Sequence, residues 1–139
     1  MDDRKRVLVV DDDEEVLFVW TSALRKLPEL EVETAANGAE ALERFESDSF
    51  DLVVTDLAMP VMDGVALTRA IRETDTIIPI VWITAYSQLH DNLDKRDLKI
   101  YSFLSKPVSI QEIRNVVRNA LDHERENGNS IDASHWART

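Results

Sequence analysis

Short apolar runs alternate with segments whose apolar residues recur at helical spacing along most of the chain. Val7-Leu8-Val9-Val10 is a continuous apolar run of strand length, the form taken by a strand buried on both faces. Val16, Leu17, Trp20, Ala23, Leu24 and Leu27 then follow at i, i+1, i+4, i+7, i+8 and i+11, which predicts one buried face of a helix stopped by Pro28. Leu30, Val32 and Thr34 alternate with Glu31 and Glu33 and predict a strand with one wetter side. Asn37-Gly38 punctuates the chain before a second helix, Ala39 to Phe45. Leu52-Val53-Val54-Thr55 predicts a third strand ending at Asp56, with a loop from Met59-Pro60 to Asp63-Gly64 and a third helix from Val65 to Arg72. Ile77 to Ile83 predicts the fourth strand, with Pro79 near its entrance where a missing N–H costs least. Between Tyr86 and Lys99 only Leu89, Leu93 and Leu98 are available for burial, so a fourth helix there is short or loosely held. Ile100 to Leu104 predicts the fifth strand. Ser109, with Glu112 three residues on, is a capping box opening the last helix, whose buried face is predicted as Ile110, Ile113, Val116, Val117, Ala120 and Leu121. From Glu126 the pattern stops.

Strands alternating with helices predict a parallel sheet covered on both faces, here a single doubly wound (βα)5 domain of the α/β class. A length of 139 residues suits one domain, and residues 125–139 read as a C-terminal tail or the start of a linker. Composition narrows the function. Sixteen Lys and Arg against 27 Asp and Glu give a net charge of −11, which argues against a surface for nucleic acid or anionic membrane. The absence of cysteine excludes disulfides, thiolate catalysis and cysteine-ligated metal centres, and the histidines His90, His123 and His135 are too scattered for a metal motif. The apolar stretch Ile77–Ile83 is far below the roughly 20 residues that span a bilayer. The charged start leads into only four apolar residues, too few for a secretory signal, so a cytoplasmic protein is expected.

In an open parallel sheet, ligands bind beyond the carboxyl ends of the strands, at the switch in strand order. Those ends carry Asp11-Asp12-Asp13, Asp56, Thr84-Ala85 and Ser105-Lys106-Pro107. With the flavodoxin-like order 2-1-3-4-5 they converge on one pocket. Clustered carboxylates repel one another, and one is forced neutral unless a cation joins them. Oxygen ligands without His or Cys favour Mg²⁺. A carboxylate beside such an ion can act as a nucleophile toward a phosphoryl group. Lys106 would neutralise phosphoryl charge and the Thr84 hydroxyl would donate to a phosphoryl oxygen.

These segments carry a resemblance. Val7-Leu8-Val9-Val10-Asp11-Asp12, Asp56-Leu57-Ala58-Met59-Pro60-Val61-Met62-Asp63-Gly64, Ile83-Thr84-Ala85 and Ser105-Lys106-Pro107 are similar, in order and spacing, to the four signatures of bacterial two-component response-regulator receiver domains of the chemotaxis-regulator type. The likeness covers about residues 5–124, with residues 1–124 taken as the domain. It implies that Asp56 is the phosphoacceptor, that Asp12 binds Mg²⁺ (or Mn²⁺) directly and Asp11 through water, and that the backbone carbonyl of Ala58 is a further ligand. It implies that Thr84 and Lys106 are the switch hydroxyl and the phosphate-binding lysine, and that Phe103 is the aromatic whose rotamer follows phosphorylation. The implied partners are a sensor histidine kinase or a histidine phosphotransfer protein, and downstream an unidentified protein or an effector domain. The implied module phosphorylates itself but turns over no substrate. The face built by the fourth helix, fifth strand and fifth helix is expected to be remodelled for the partner.

Plainer readings accompany several of these residues. Asp13, next to a helix start, reads as a cap and is left out of the site. Phe103 alone would be ordinary core, Thr84 a good strand residue and Lys106 a surface lysine. Arg114, Arg118 and Arg125 read as a solvated face or a partner surface, and Trp136 as an anchor or part of a linker. The chain departs from the family pattern at Lys99-Ile100, where many members have Gly-Ala. It departs again at Ser102, where regulators that form phosphorylation-dependent dimers through their fourth and fifth helices often have an acid. Ala58 and Tyr86 stand where family side chains influence access of water to the acyl phosphate. Ala58 orients no water and Tyr86 would shield the site, so a long-lived phosphoryl group is expected. The rival is a phosphatase of the haloacid-dehalogenase type, with Asp11 and Asp13 as its Asp-x-Asp pair. That motif continues with Thr or Val where this chain has Glu15, and it leaves Asp56 without a role.

Overall fold

The Val7–Val10 run lies fully buried within a parallel sheet in the structure, a computed structural model that describes residues 3–85 and 96–126. Strands β1 (Lys5–Val10), β2 (Leu30–Ala35), β3 (Leu52–Asp56), β4 (Ile80–Thr84) and β5 (Ser102–Ser105) pair in the order β2-β1-β3-β4-β5. This is the doubly wound order expected from the sequence. Helices α1 (Glu14–Arg25), α2 (Gly38–Ser47), α3 (Gly64–Thr74) and α4 (Ile110–Glu126) complete the described elements.

The two-residue period of a strand sends alternate side chains to opposite faces, so each buried run feeds two cores. Val7, Val9, Val54 and Val81 pack with Trp20 and Leu24 of α1 and Ile113 and Val117 of α4. Leu8, Val10, Val53 and Trp82 pack with Ala41 of α2 and Leu67 and Ile71 of α3. Trp82 is buried whole, and its indole N–H donates to the Thr68 hydroxyl at 2.9 Å, which donates in turn to the Gly64 carbonyl at 2.7 Å. A buried indole without such a partner would carry a desolvation cost of roughly 1–3 kcal/mol.

Side chains that satisfy the first free N–H groups set the helix starts. Asp13, Asn37 and Asp63 cap α1, α2 and α3. At α4 the predicted box forms: the Glu112 N–H donates to Ser109 Oγ at 3.0 Å, and the Ser109 N–H to Glu112 Oε1 at 3.4 Å. Arg118 is exposed and pairs with Glu29 at the surface, as a solvated face would, whereas Arg114 is half-buried and its Nε donates to the Ala23 carbonyl.

Three predicted elements shift. The fourth strand begins at Ile80 rather than Ile77, because the Asp75 carboxylate accepts from the N–H groups of both Ile77 and Ile78 and folds that segment into a turn. The fifth strand begins at Ser102, with Ile100 and Tyr101 buried just before it. Ile110 is 48% exposed instead of sharing the buried face of α4. It is the first helical residue, and the face seated on the sheet starts at Ile113. The expectations for Tyr86, Leu89, His90, Leu93, Trp136 and the tail from residue 127 lie outside the described residues, as do those for the side chains of His123 and Arg125.

Among the described residues, Val61 (φ 70°) and Lys99 (φ 57°) take the left-handed backbone conformation without being glycine. Lys99 occupies the position where the family resemblance has glycine. Arg72 holds that bend, donating to the carbonyls of Leu98 at 2.8 Å and Lys99 at 3.0 Å. Val61 is β-branched and 84% exposed, so its side chain returns little packing for the strain. Val61→Gly is expected to raise stability by about 1 kcal/mol, the left-handed penalty of about 1–2 kcal/mol less the extra freedom of glycine in the unfolded chain. A denaturant midpoint that stays put or falls would show that the valine is not strained.

Candidate functional site

Strand register brings the chemistry-bearing residues to one edge. Val10 pairs with Thr55, Asp56 with Ile83 and Thr84 with Ser105, so the carboxyl ends of β1, β3, β4 and β5 lie side by side. Asp11 and Asp12 follow β1 directly, Asp56 ends β3 and Lys106 follows β5. The carboxylates of Asp11, Asp12 and Asp56 each offer an oxygen, all within 4.8 Å of one another. Asp11 and Asp56 are buried and Asp12 is exposed.

Lys106 joins the buried pair. Its ammonium donates to Asp11 Oδ2 at 2.8 Å and to Asp56 Oδ2 at 3.3 Å. The other oxygens are held by backbone: the Asp13 N–H donates to Asp11 Oδ1 at 2.9 Å and the Leu57 N–H to Asp56 Oδ1 at 2.8 Å. Desolvation by burial nonetheless pushes both carboxyls above the usual carboxylate range, against the lowering effect of Lys106. Burial opposes the charge of Lys106 too, but its contacts with Asp11 and Asp56 prevail and raise it. Three carboxylates and one ammonium leave two negative charges in excess, which matches a divalent cation. The all-oxygen donor set suits a hard ion, and the triad is able to hold a metal.

The loop after β3 is shaped by close approach. The Gly64 N–H donates to the Leu57 carbonyl at 2.9 Å, and a Cβ on Gly64 would lie 2.2 Å from the Asp56 carbonyl oxygen. Only glycine lets α3 start so near the strand end. Ala58, in the same loop, is exposed. Thr84 is fully buried, and its carbonyl accepts from the Lys106 N–H at 2.9 Å. Phe103 pairs in register with Trp82 and is partly buried against the core that includes α2 and α3. Asp13 lines the neighbouring cleft but does not join the carboxylate cluster: its carboxylate accepts from the N–H groups of Glu15 and Val16, which takes away the second acid of the phosphatase alternative. The helical spacing of Trp20 predicts plain core, and its ring also faces Lys106. Nothing in a single chain position signals a partner 86 residues away in sequence.

A model of the response regulator receiver domain matches residues 7–118. The chain is 35% identical over 120 residues to the response regulator receiver protein CpdR of Brucella abortus, covering 84% of this chain and 97% of that protein. It is also 35% identical over 120 residues to the DNA-binding transcriptional regulator NtrC of Escherichia coli K12, but spans only 25% of that longer protein. A CheY-like receiver domain from Methanospirillum hungatei superposes with a TM-score of 0.83 at 26% identity, covering 89% of this chain and 98% of that one. TrrA from Thermotoga maritima, solved in complex with Mg(2+)-BeF, superposes with a TM-score of 0.76 at 32% identity, covering 84% and 99%.

The raised carboxyls carry a pH signature. Asp11 and Asp56 hold protons more tightly folded than unfolded, so without divalent cation stability rises as the pH falls through their raised values, and the gain is complete below the ordinary 3.8. At neutral pH Asp56→Asn is expected to raise the thermal midpoint of the metal-free protein, because an excess buried charge is removed. Saturating Mg²⁺ is expected to narrow that difference by stabilising the native protein. Thermal midpoints with and without Mg²⁺ measure both effects, and a variant less stable than the native chain in chelator would contradict the charge argument.

Proposed function

Because the chain belongs to the response regulator receiver domain family, we propose that Asp56 accepts a phosphoryl group from a sensor histidine kinase or a histidine phosphotransfer protein, or from a small acyl phosphate, and that the domain switches in response. Receiver domains are signalling modules rather than turnover enzymes, and the family implies a kinase partner. The observation that carries the reading is the single lysine tying Asp11 to Asp56, with Asp12 beside them, at the carboxyl edge of the sheet.

In the proposed reaction the Asp56 carboxylate attacks phosphorus. The bond to the donor's nitrogen or oxygen breaks, and the donor leaves with the electron pair. Asp11, Asp12 and the Ala58 carbonyl would hold Mg²⁺, or Mn²⁺ in its place, together with Asp56. When bound, that ion neutralises charge on the phosphoryl oxygens. Lys106 stays within reach as a point cation, and the Thr84 hydroxyl donates to a phosphoryl oxygen. Thr84 and Trp82 fall on the same face of β4, and Trp82 pairs with Phe103, so movement of Thr84 is felt first by the aromatic pair. Phe103 then reports the switch to the outer face of the domain, where the partner docks.

Residues 1–124 form the receiver unit and residues 125–139 a tail or linker. The output is an unidentified protein, reached as in a stand-alone receiver, or an effector domain of the NtrC kind. A net charge of −11 disfavours direct contact with nucleic acid, and no described helix is long and apolar enough to cross a membrane. A cytoplasmic location follows from the kinase partner. A phosphorylation-dependent dimer would need contacts other than an acid at Ser102. Ala58 presents no group to orient water, so the acyl phosphate persists.

Incubation with a small acyl phosphate, with and without Mg²⁺, tests the reading by intact and peptide mass. The expected product is one phosphoryl group per chain on Asp56, dependent on Mg²⁺, absent in Asp56→Ala and slow to hydrolyse after the donor is removed. Steady release of phosphate that survives Asp56→Ala would point instead to a phosphatase.

A further inference from the structure

We infer that Trp20 is a positioning residue for Lys106, holding its ammonium at the phosphoacceptor through the π face of the indole. This rests on Asp56 being the phosphoacceptor. Lys106 Nζ stands 5.7 Å from the centroid of the Trp20 ring, within the range at which a cation is drawn to an aromatic face, and indole is the strongest such partner. Trp20 lies on the second turn of α1 and is 3% exposed. With Val16, Val19, Pro107 and Val108 it forms the apolar side of a cleft of about 480 Å³ that opens beside Lys106.

The ammonium carries three N–H donors, and the two carboxylates of Asp11 and Asp56 account for its hydrogen bonds here. Phosphorylation converts one oxygen of Asp56 into an acyl phosphate oxygen and moves the negative charge outward onto the phosphoryl oxygens, so the Lys106 ammonium turns from the Asp56 carboxylate toward them while Asp11 stays in reach. A four-carbon stem with about 2 kcal/mol of rotamer entropy makes that turn from a narrower set of starting positions when a further restraint keeps its head group at the cleft. A carbonyl or carboxylate would provide it by engaging the third N–H in a directed bond. The indole face attracts the charge without fixing its direction, so the head group stays at the cleft and remains free to turn toward a phosphoryl oxygen. An aliphatic residue at position 20 would fill the core but leave the ammonium with its carboxylate contacts alone.

Trp20→Leu and Trp20→Phe separate these roles in the full chain. Three readouts are compared: the proton shift of the Lys106 ε-methylene before phosphorylation, the rate of Asp56 modification by a small acyl phosphate with Mg²⁺, and the thermal midpoint. The native ε-methylene is expected to lie upfield under the ring. Trp20→Leu is expected to abolish that shift and slow modification about fivefold, which is roughly 1 kcal/mol. Trp20→Phe is expected to retain part of both, although the two variants lose similar stability. Equal rates in the two variants, rates that merely track their midpoints, or an unmoved ε-methylene in Trp20→Leu would overturn the inference. A native chain modified at Asp56 and a Trp20→Leu variant modified as fast would overturn the inference alone. A native chain that takes no phosphoryl group on Asp56 would overturn the functional reading, and the inference with it.

Discussion

Lys106 reaches across 95 residues of sequence to Asp11 and across 50 to Asp56, and the architecture of the functional edge follows from those two contacts. Two buried carboxylates in contact would otherwise favour protonation of one of them. The lysine keeps the pair in place while leaving it short of positive charge, since Asp12 adds a third carboxylate. A site left two charges negative is receptive to a divalent ion, and with that ion to a phosphoryl group. Stability and function therefore pull apart here: the charges that make the edge reactive are the ones burial resists.

Rigid neighbours hold this edge to its geometry. Gly64 lets α3 start against the end of β3, and Gly38 presents its N–H to the Met62 carbonyl at 3.1 Å, so α2 is seated on the same loop. The strain at Val61 sits in that loop, between two helix starts that leave its backbone little freedom. Thr68 links Gly64 to the indole of Trp82, one register step from the Asp56–Ile83 pair and directly beside Phe103. A buried, satisfied polar chain thus runs from the loop that follows Asp56 to the aromatic pair on β4 and β5. The loop after β3 and the aromatic pair are therefore tied together by satisfied hydrogen bonds within one core.

Much of this was legible in one dimension. Continuous apolar runs at Val7–Val10 and Leu52–Thr55 marked strands buried on both faces, and Ser109 with Glu112 marked the start of the last helix. Acids, a hydroxyl and a lysine at the ends of successive strands located the site, because strand ends are where a doubly wound sheet gathers its ligands. Asp13 was separable from its neighbours by its place before a helix. Errors fell where local hydrogen bonding competes with hydropathy. Ile77 is apolar but follows Asp75, whose carboxylate turns the chain, and Ile110 is apolar but stands at the helix start before the buried stripe begins.

Periodicity and turn chemistry are properties of neighbouring residues, so the sequence by itself determined the elements, their order and the chemical kinds assembled at the strand ends. Which oxygen meets which nitrogen is set by strand register and helix seating, which no local pattern encodes. Only the tertiary structure decided that Lys106 bridges Asp11 and Asp56 and that Trp20 turns its ring to that lysine. The same holds for the hydrogen bonding of the Trp82 indole to Thr68, and for burial raising the carboxyls of Asp11 and Asp56 despite an adjacent cation. Each of these depends on distance and desolvation, and both arise when separate segments pack together.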